Sequence, residues 1–490
     1  MHECVGTYAT SGGRAIVMQK PGAWPLCQLT ESGRGPGLGG RPPFGDGGAV
    51  GYAVAVGSHG LSPPFRVPGR PARADAGVVR DIAPIPVFVL NVQQEFSCRH
   101  SGACCTAGWH IPVEPRTLDV LAQALRDGRF HVAGHPPADG PEAWLDTRDP
   151  PEGAAGILRT GAGGACICFE PDRGRLCAIQ RQLGHDALPS ACRQFPRVTL
   201  VDDRGAHVAL SHYCPTVAAM LVGDAGVEAD IVRLPPGHPG RREADGFDAR
   251  DAVPPFVRPG VAFDLASHDA WERAIVRALG HPAADADATL ASVAAAAEDL
   301  RGWTPARGAM VDEVSRITGA LNGRLLRERA PVTTGAPGTA DTADITAIAR
   351  LFDTVAASVP AGLPRPACPP DFADSDRLFV APVWPALSLP VGRFLAAKAF
   401  ASPVAWQGEG LRTQVMALAA ARAVLRVELA RLAGAARRPA DEATIVGAAR
   451  AADALIEHLS DRPSLVRRWA PVECLPRAAF LQGLGLGARA

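Results

Sequence analysis

The spacing of the cysteines constrains this chain more than any other feature of its sequence. Eight of the twelve cysteines lie between positions 98 and 214, whereas the other four are scattered singly. A zinc site needs several thiolates that converge on one point, about 2.3 Å from the ion. A free cysteine often behaves as a small buried apolar residue, but burial alone does not favour clustering along the sequence. The spacing therefore predicts a zinc or iron–sulfur site.

Two glycine-containing turns carry most of these thiols. FSCRHSGACC begins at Phe96, and ACICFEPDRGRLC begins at Ala165. Short spacings on such turns let neighbouring thiolates converge with little backbone strain. The predicted metal ligands are Cys98, Cys104, Cys105, Cys168, Cys177, Cys192 and Cys214. Because one ion needs only four sulfurs, the surplus is compatible with two zinc ions, a cluster plus a redox pair, or one site with buried spares, among them Cys166.

Charge and composition exclude several classes of function. The net charge is zero, which argues against nucleic-acid binding and against a polybasic membrane surface. Lys20 and Lys398 are the only lysines, and neither closes a glycine-rich phosphate loop or lies on a kinase-type strand. No run of about 18 apolar residues and no signal peptide is visible, so we expect a cytoplasmic protein with reduced thiols.

Composition divides the chain into three parts. Residues 1–85 are rich in glycine and proline without a helical or strand period, which predicts a disordered tail. Residues 86–215 are predicted to form a cysteine-cluster domain of α+β character, with a strand near 86–92, a helix at 115–127 and a hairpin through RVTLVDDRGAHVAL. Residues 216–490 are alanine-rich and predict a helical bundle. The expected fold is therefore mainly α with a small α+β cysteine-cluster domain.

The helical half is predicted from apolar residues at spacings of three and four. Helices are expected at 215–223, 268–279, 286–301, 309–328, 343–358, 410–433 and 441–460, with proline-containing breaks at 359–375 and 461–464. Arg422 falls on the apolar stripe of the 410–433 segment. We expect its side chain to extend to the surface or to pair locally.

Three motifs in order resemble a known family. FSCRHSGACC followed by a tryptophan, then CFEPDRGRLCAIQ, then ACRQFPR, resemble the zinc/iron-chelating cysteine-cluster family of bacterial proteins. The pattern is most similar to its larger members, the flagellin lysine-N-methylases, over about residues 93–222. The residues that carry this likeness are Trp109, Ile111, Leu183, Gly184, Cys192, Pro196, Arg197, Ser211, Cys214 and Pro215.

The resemblance implies a bound metal or iron–sulfur cluster, and methyl transfer from S-adenosylmethionine to lysines of a protein substrate such as flagellin. Two departures stand against the activity. Ser101 replaces the second cysteine of the compact motif, which leaves Cys166 or another cysteine to supply that ligand, and no nucleotide-binding G-x-G is visible. The alternative is a zinc- or iron-chelating protein without catalysis. A thioredoxin-like redox function ranks last, because no C-x-x-C pair is present.

Overall fold

The computed structural model describes residues 85–134, 140–148, 150–238, 246–327 and 342–486, and a short antiparallel pair of strands, Thr7–Tyr8 (β1) and Ile16–Val17 (β2). The rest of the predicted tail, up to residue 84, lies outside the described residues. The chain is mainly helical with small mixed sheets, as its alanine-rich composition predicted.

In chain order the remaining strands are Val87–Leu90 (β3), Ile111–Val113 (β4), Leu145–Asp146 (β5), Gly156–Leu158 (β6), Phe169–Glu170 (β7), Leu176–Cys177 (β8), Arg197–Asp202 (β9), Gly205–Leu210 (β10), Ile231–Arg233 (β11), Phe247–Asp248 (β12), Phe256–Arg258 (β13) and Val261–Ala262 (β14).

In the same order the helices are Pro115–Arg126 (α1), Ala178–Leu183 (α2), Ser190–Gln194 (α3), Pro215–Ala219 (α4), Leu265–Leu279 (α5), Ala286–Arg301 (α6), Met310–Arg327 (α7), Thr342–Ala356 (α8), Phe372–Ser375 (α9), Ser388–Ala399 (α10), Pro403–Gln407 (α11), Leu411–Ala436 (α12), Glu442–Asp453 (α13), Arg462–Trp469 (α14) and Arg477–Gly483 (α15).

The predicted hairpin lies inside a larger sheet with strand order β11-β3-β10-β9-β12. Strands β9 and β10 pair antiparallel, and β3 pairs parallel to β10. The predicted hairpin is confirmed, and all six residues of β10 are buried. The reason is that both faces are covered: Val208 and Leu210 pack in a small core with Val217, while Ala209 packs in the large core of the helical half.

The cysteine-bearing segment, defined as residues 98–194, has a core of its own. Helix α1 begins with Pro115 in its first turn and buries Leu121 and Leu125 on one face, as predicted. These side chains pack against Val113 and Trp144 and against the thiol-bearing turns that hold Cys168. The sequence therefore builds a small, turn-rich unit whose apolar centre includes sulfur.

In the helical half, residues 265–486, α12 is the central element. Its 26 residues extend the predicted 410–433 segment, and apolar and alanine residues around most of its circumference are buried. The prediction for Arg422 is wrong: the side chain is 2% exposed and forms two hydrogen bonds of 2.6 Å with Asp287 on α6. A buried guanidinium needs a carboxylate partner, and here the partner comes from a distant helix.

Two proline-rich regions differ from the prediction. The expected break at 461–464 is the start of α14, where the Asp461 carboxylate accepts a hydrogen bond from the Ser464 amide at 3.1 Å. Pro463 is tolerated because the first-turn amides of a helix lack internal partners. Pro390 and Pro403 likewise lie in the first turns of α10 and α11, which the sequence analysis did not predict.

Within the described residues no single helix is long and apolar enough to cross a membrane. One bent pair, Phe372–Val380 with Trp384–Ala399 at 81°, meets the length and composition requirements.

Candidate metal centre

The turn after Ser101 places two adjacent thiols side by side. The amides of Cys105 and Thr106 both donate to the Gly102 carbonyl at 3.0 Å, which closes the turn. Gly102 has φ +74°, and a Cβ there would lie 2.7 Å from the Phe169 ring, so glycine is required. The Sγ atoms of Cys104 and Cys105 are 3.9 Å apart. Two sulfurs on one tetrahedral ion with 2.3 Å bonds lie about 3.8 Å apart.

Backbone hydrogen bonds tie this turn to the second thiol-bearing turn. The Cys166 amide donates to the Cys105 carbonyl at 2.7 Å, and the Ala178 amide donates to the Cys168 carbonyl at 2.7 Å. Cys177 ends β8, where it pairs with Phe169 on β7. The two turns, which are 60 residues apart along the chain, are therefore held together by the backbone.

Cys192 joins the same sulfur group from α3, and packs on the same small core as Cys166 and Cys177. We call Cys104, Cys105, Cys166, Cys168, Cys177 and Cys192 the sulfur group. Cys214 lies at the N-terminus of α4 in the other small core, and Cys98 lies on the surface with its Sγ 3.7 Å from His100 Nδ1.

The ionisation of the sulfur group reflects its crowding. Burial raises the pKa of Cys192, and negative charge on Cys177, Cys166 and Cys104 raises it further. Burial likewise raises the pKa of Cys177 to about 11, with Cys166 contributing. By contrast, a hydrogen bond from Cys105 lowers the pKa of Cys104 to about 7. Within the sulfur group, charge on one thiol therefore opposes the ionisation of Cys177 and Cys192, whereas a hydrogen bond from a neighbouring thiol favours the ionisation of Cys104.

Of the two outer cysteines, Cys98 lies close enough to interact electrostatically with both Cys104 and Cys214. Loss of solvent around its sulfur raises the pKa of Cys98, and negative charges on Cys104 and Cys214 raise it further. Ser101, which occupies the position of the missing cysteine, accepts a hydrogen bond from the Ala103 amide at 3.4 Å and so supports the turn. Cys166, a spare in the sequence analysis, lies among the predicted ligands.

The ten described cysteines are all free thiols. Among the residues that the structure describes, no three His, Cys, Asp or Glu side chains stand in a metal-ligating arrangement. Five of the seven predicted ligands are therefore brought into one neighbourhood, whereas Cys98 and Cys214 lie outside it, and ligand geometry around a single point is not observed among the described residues.

An aromatic cluster that the sequence analysis missed lies beside the sulfur group. It consists of Trp109, Phe195, Tyr213 and His458. The Trp109 ring is central: its centroid is 4.5 Å from His458, 4.8 Å from Tyr213 and 5.3 Å from Phe195. All four residues are only half-buried. Burial raises the pKa of Tyr213, and a negative charge on Cys104 contributes, so the cluster lies near that thiol.

His458 connects this cluster to the helical half. It lies in a π-helix, Ala454–Leu459, that continues α13, and its Nε2 is 2.9 Å from the Ser211 hydroxyl. Burial lowers the pKa of His458 to about 4, so the ring is neutral near neutral pH. No sequence signal pairs it with Trp109, because the two residues are almost 350 positions apart and a regular helix would place the side chain differently.

Lys398 is held beneath the same region by two carboxylates. Its Nζ is 2.6 Å from Asp453 and 2.9 Å from Glu457, and the three side chains are largely buried. Burial opposes the charge on Lys398, but attraction to Asp453 and Glu457 raises its pKa. A cavity of about 60 Å³ borders Lys398, Glu457 and Arg462. Because the ammonium is charged and paired, Lys398 acts here as a counter-ion rather than as a nucleophile.

In comparison with known proteins, no family model matches the chain, and no curated protein or solved structure matches it at a significant level. The resemblance to the flagellin lysine-N-methylases therefore remains a prediction from the motifs.

Proposed function

We propose that this protein binds zinc or an iron–sulfur cluster through thiolates of the cysteine-bearing segment, with Cys214 as a further ligand. The proposal rests on one observation: thiols from three separate stretches of the chain are brought together. Cys166, Cys168, Cys177 and Cys192 share one small core, and the turn that holds Cys104 and Cys105, whose sulfurs are 3.9 Å apart, is hydrogen-bonded to Cys166. The ligands are proposed among the seven predicted cysteines, with Cys166 as an eighth candidate.

The electrostatics of the sulfur group support this proposal. Metal ligation requires the thiolate, and a bound cation deprotonates its cysteine ligands outright. Thiols such as Cys177 and Cys192, whose pKa values are raised by burial and by like charge, would each release a proton when a metal binds. Metal affinity should therefore rise with pH through the neutral range.

The chemistry of the donors fits a soft metal. Sulfur ligands select zinc and iron–sulfur centres over magnesium or calcium. The 3.9 Å separation of the Cys104 and Cys105 sulfurs matches an edge of a tetrahedral sulfur site, so this pair needs little movement to share one ion. The other sulfurs would have to change rotamer to complete the coordination.

Methyl transfer to protein lysines is a narrower proposal, and it rests on the resemblance of the motifs alone. The alternative, a metal-chelating or structural role without catalysis, requires the same centre. Lysine methylation needs a base or an environment that removes the amine proton, and burial, which lowers the pKa of His458 to about 4, makes that imidazole a weak base for this step. An assay of the purified metal-loaded protein with S-adenosylmethionine and coexpressed flagellin distinguishes the two proposals. Methylated lysines in flagellin would support methyl transfer, and their absence would favour the role without catalysis.

The first experiment is metal and acid-labile sulfide analysis, with a visible spectrum, on protein purified without oxygen. Iron and sulfide in equal amounts with a broad absorbance would identify a cluster, whereas zinc without sulfide would identify a thiolate zinc site. We expect Cys104→Ala and Cys177→Ala to lower the metal content and the melting temperature. Cys474→Ala, which changes an exposed cysteine far from the group along the chain, is the matched control.

Absence of stoichiometric zinc or iron in the wild-type protein would contradict the proposal. So would metal content that is equal in the wild type, in both sulfur-group variants and in the control.

A further inference from the structure

A small, mostly apolar cavity lies where the large sheet meets the helical half. Its volume is about 60 Å³, and its walls come from β9, β10, α10, α11, α12, the π-helix and α14. The space is left by small side chains, because five alanines line it: Ala209, Ala397, Ala401, Ala417 and Ala421. A cavity of this size holds about four to six water-sized atoms, which limits a ligand to about that number of non-hydrogen atoms.

The charged side chains in the lining balance one another. The Glu457 carboxylate accepts hydrogen bonds from Lys398 Nζ at 2.9 Å and from Arg462 Nη2 at 2.8 Å. Lys398 Nζ is also 2.6 Å from Asp453, which does not line the cavity. Two positive and two negative charges therefore meet here. A charged ligand would add a charge without a partner, and burying such a charge is costly, so the site favours a neutral ligand.

The same part of the lining has more hydrogen-bond donors than acceptors. The Lys398 ammonium has three N–H groups and contacts two carboxylates. Ser402 borders the cavity just before α11, and its hydroxyl makes no capping hydrogen bond with that helix. Among the described residues, Arg462 uses one of its guanidinium nitrogens, and its side chain is 29% exposed. A ligand that satisfies these donors has to supply an acceptor oxygen.

We propose that this cavity binds a small, neutral, aliphatic carbonyl compound of about four to six non-hydrogen atoms. Its aliphatic part would pack on the alanines and on Val198, Leu210 and Leu465, where burial of apolar surface is favourable. Its carbonyl oxygen would accept hydrogen bonds from the Ser402 hydroxyl and from Arg462 at the polar end. The site lies apart from the sulfur group, and the proposal does not depend on a bound metal.

The test uses probes that have the same number of non-hydrogen atoms and differ in charge: 2-butanone, propionate and sec-butylammonium. Titration of the full chain with each probe up to about 50 mM, followed by saturation-transfer NMR, gives the affinities. Butanone should bind saturably, although weakly, because a ligand of this size makes few contacts. Each charged probe should bind at least about tenfold more weakly than butanone, because its charge finds no partner in the cavity.

Two variants test whether binding occurs in the cavity. Ala417→Leu fills the space from α12 and should abolish butanone binding, whereas Ala435→Leu changes an exposed alanine of the same helix and should leave binding unchanged. Ser402→Ala removes a proposed donor and should weaken butanone binding by about fivefold, the effect of losing one hydrogen bond. Ser388→Ala, at the start of α10 and outside the lining, is its matched control.

The melting temperature of every variant reports whether the fold survives the substitution. The proposal is overturned if butanone shows no saturable binding to the wild type, which would mean that the cavity holds water only. It is also overturned if either charged probe binds as tightly as butanone. The same conclusion follows if Ala417→Leu, or Ser402→Ala where the first variant does not fold, binds butanone as the wild type does.

Discussion

The cysteine-bearing segment and the helical half bury charge-bearing groups in opposite ways. In the helical half, several buried ionic groups form unlike pairs, such as Arg422 with Asp287 and Arg426 with Asp376. In the sulfur group, the neighbouring groups are all thiols, so ionisation of two of them would place like charges together. An unlike pair balances its own charge, whereas thiols that ionised together would need a positive counter-ion, which the proposed metal would supply.

The two regions also differ in how much apolar surface holds them. Helix α12 alone has 26 residues and lies at the centre of a large core. The cysteine-bearing segment has one helix of 12 residues, shorter helices of six and five, and a small core that contains Cys168. Small cores rarely stabilise a unit alone, and natural proteins supplement them with metals or disulfides.

The largest expected effect comes from removing the proposed metal. Chelation under reducing conditions should increase amide hydrogen exchange across residues 98–194, because structural zinc sites contribute on the order of 10 kcal/mol to folding. Exchange in α12 should stay slow, since its core lies elsewhere. Hydrogen-exchange mass spectrometry before and after chelation measures both. If chelation accelerated hydrogen exchange equally in residues 98–194 and in α12, the prediction that the metal stabilises only the cysteine-bearing segment would be wrong.

The second largest effect is expected from a substitution that breaks a buried pair of unlike charges. Arg422→Met should lower the free energy of unfolding by about 3–5 kcal/mol, because it leaves the buried Asp287 carboxylate without its main partner. Urea denaturation followed by circular dichroism gives the value. Arg377→Met, which breaks an exposed pair with Asp374 in the same half, should cost less than about 1 kcal/mol. If both variants lost a similar free energy of unfolding, the buried pair would contribute no more to stability than the exposed one.

The third effect is the dependence of stability on pH in the helical half. His268 on α5 is buried between Phe263 and Trp406, and burial lowers its pKa from 6.5 to about 4 although Glu272 opposes this. The unfolded chain therefore binds a proton first as pH falls, and stability is lost between these two values. The loss amounts to about 3 kcal/mol for this group.

His268→Leu tests this assignment. The variant should lose about 3 kcal/mol less than the wild type between neutral pH and about pH 4. Urea titrations of both proteins across that pH interval give the difference between their free energies of unfolding. Contributions from other groups, such as His458, are the same in both proteins and cancel. Identical slopes for the two proteins would show that His268 does not set the acid sensitivity.

The helices show how much of the secondary structure could be predicted from local sequence patterns. Ala286–Arg301 and Pro115–Arg126 were predicted to within a residue, because apolar spacing, capping residues and first-turn prolines act locally. The start of α14 was predicted as a break because of Pro463, and α10 was not predicted; only the tertiary structure shows that Pro463 and Pro390 occupy first turns. Arg422 was misjudged for a similar reason: its partner Asp287 lies 135 residues away.

Of the candidate site, the sequence by itself determined the thiols, the turns that carry them and the soft-metal chemistry they support, because these depend on residue type and short spacing. Only the tertiary structure decided which thiols become neighbours, since the contact between Cys105 and Cys166 depends on packing across 61 positions. It also decided that the rings of Trp109, Tyr213 and His458 meet, with the Arg450 guanidinium beside the Tyr213 ring. Contacts of that range arise from burial of the whole core, which no local spacing encodes.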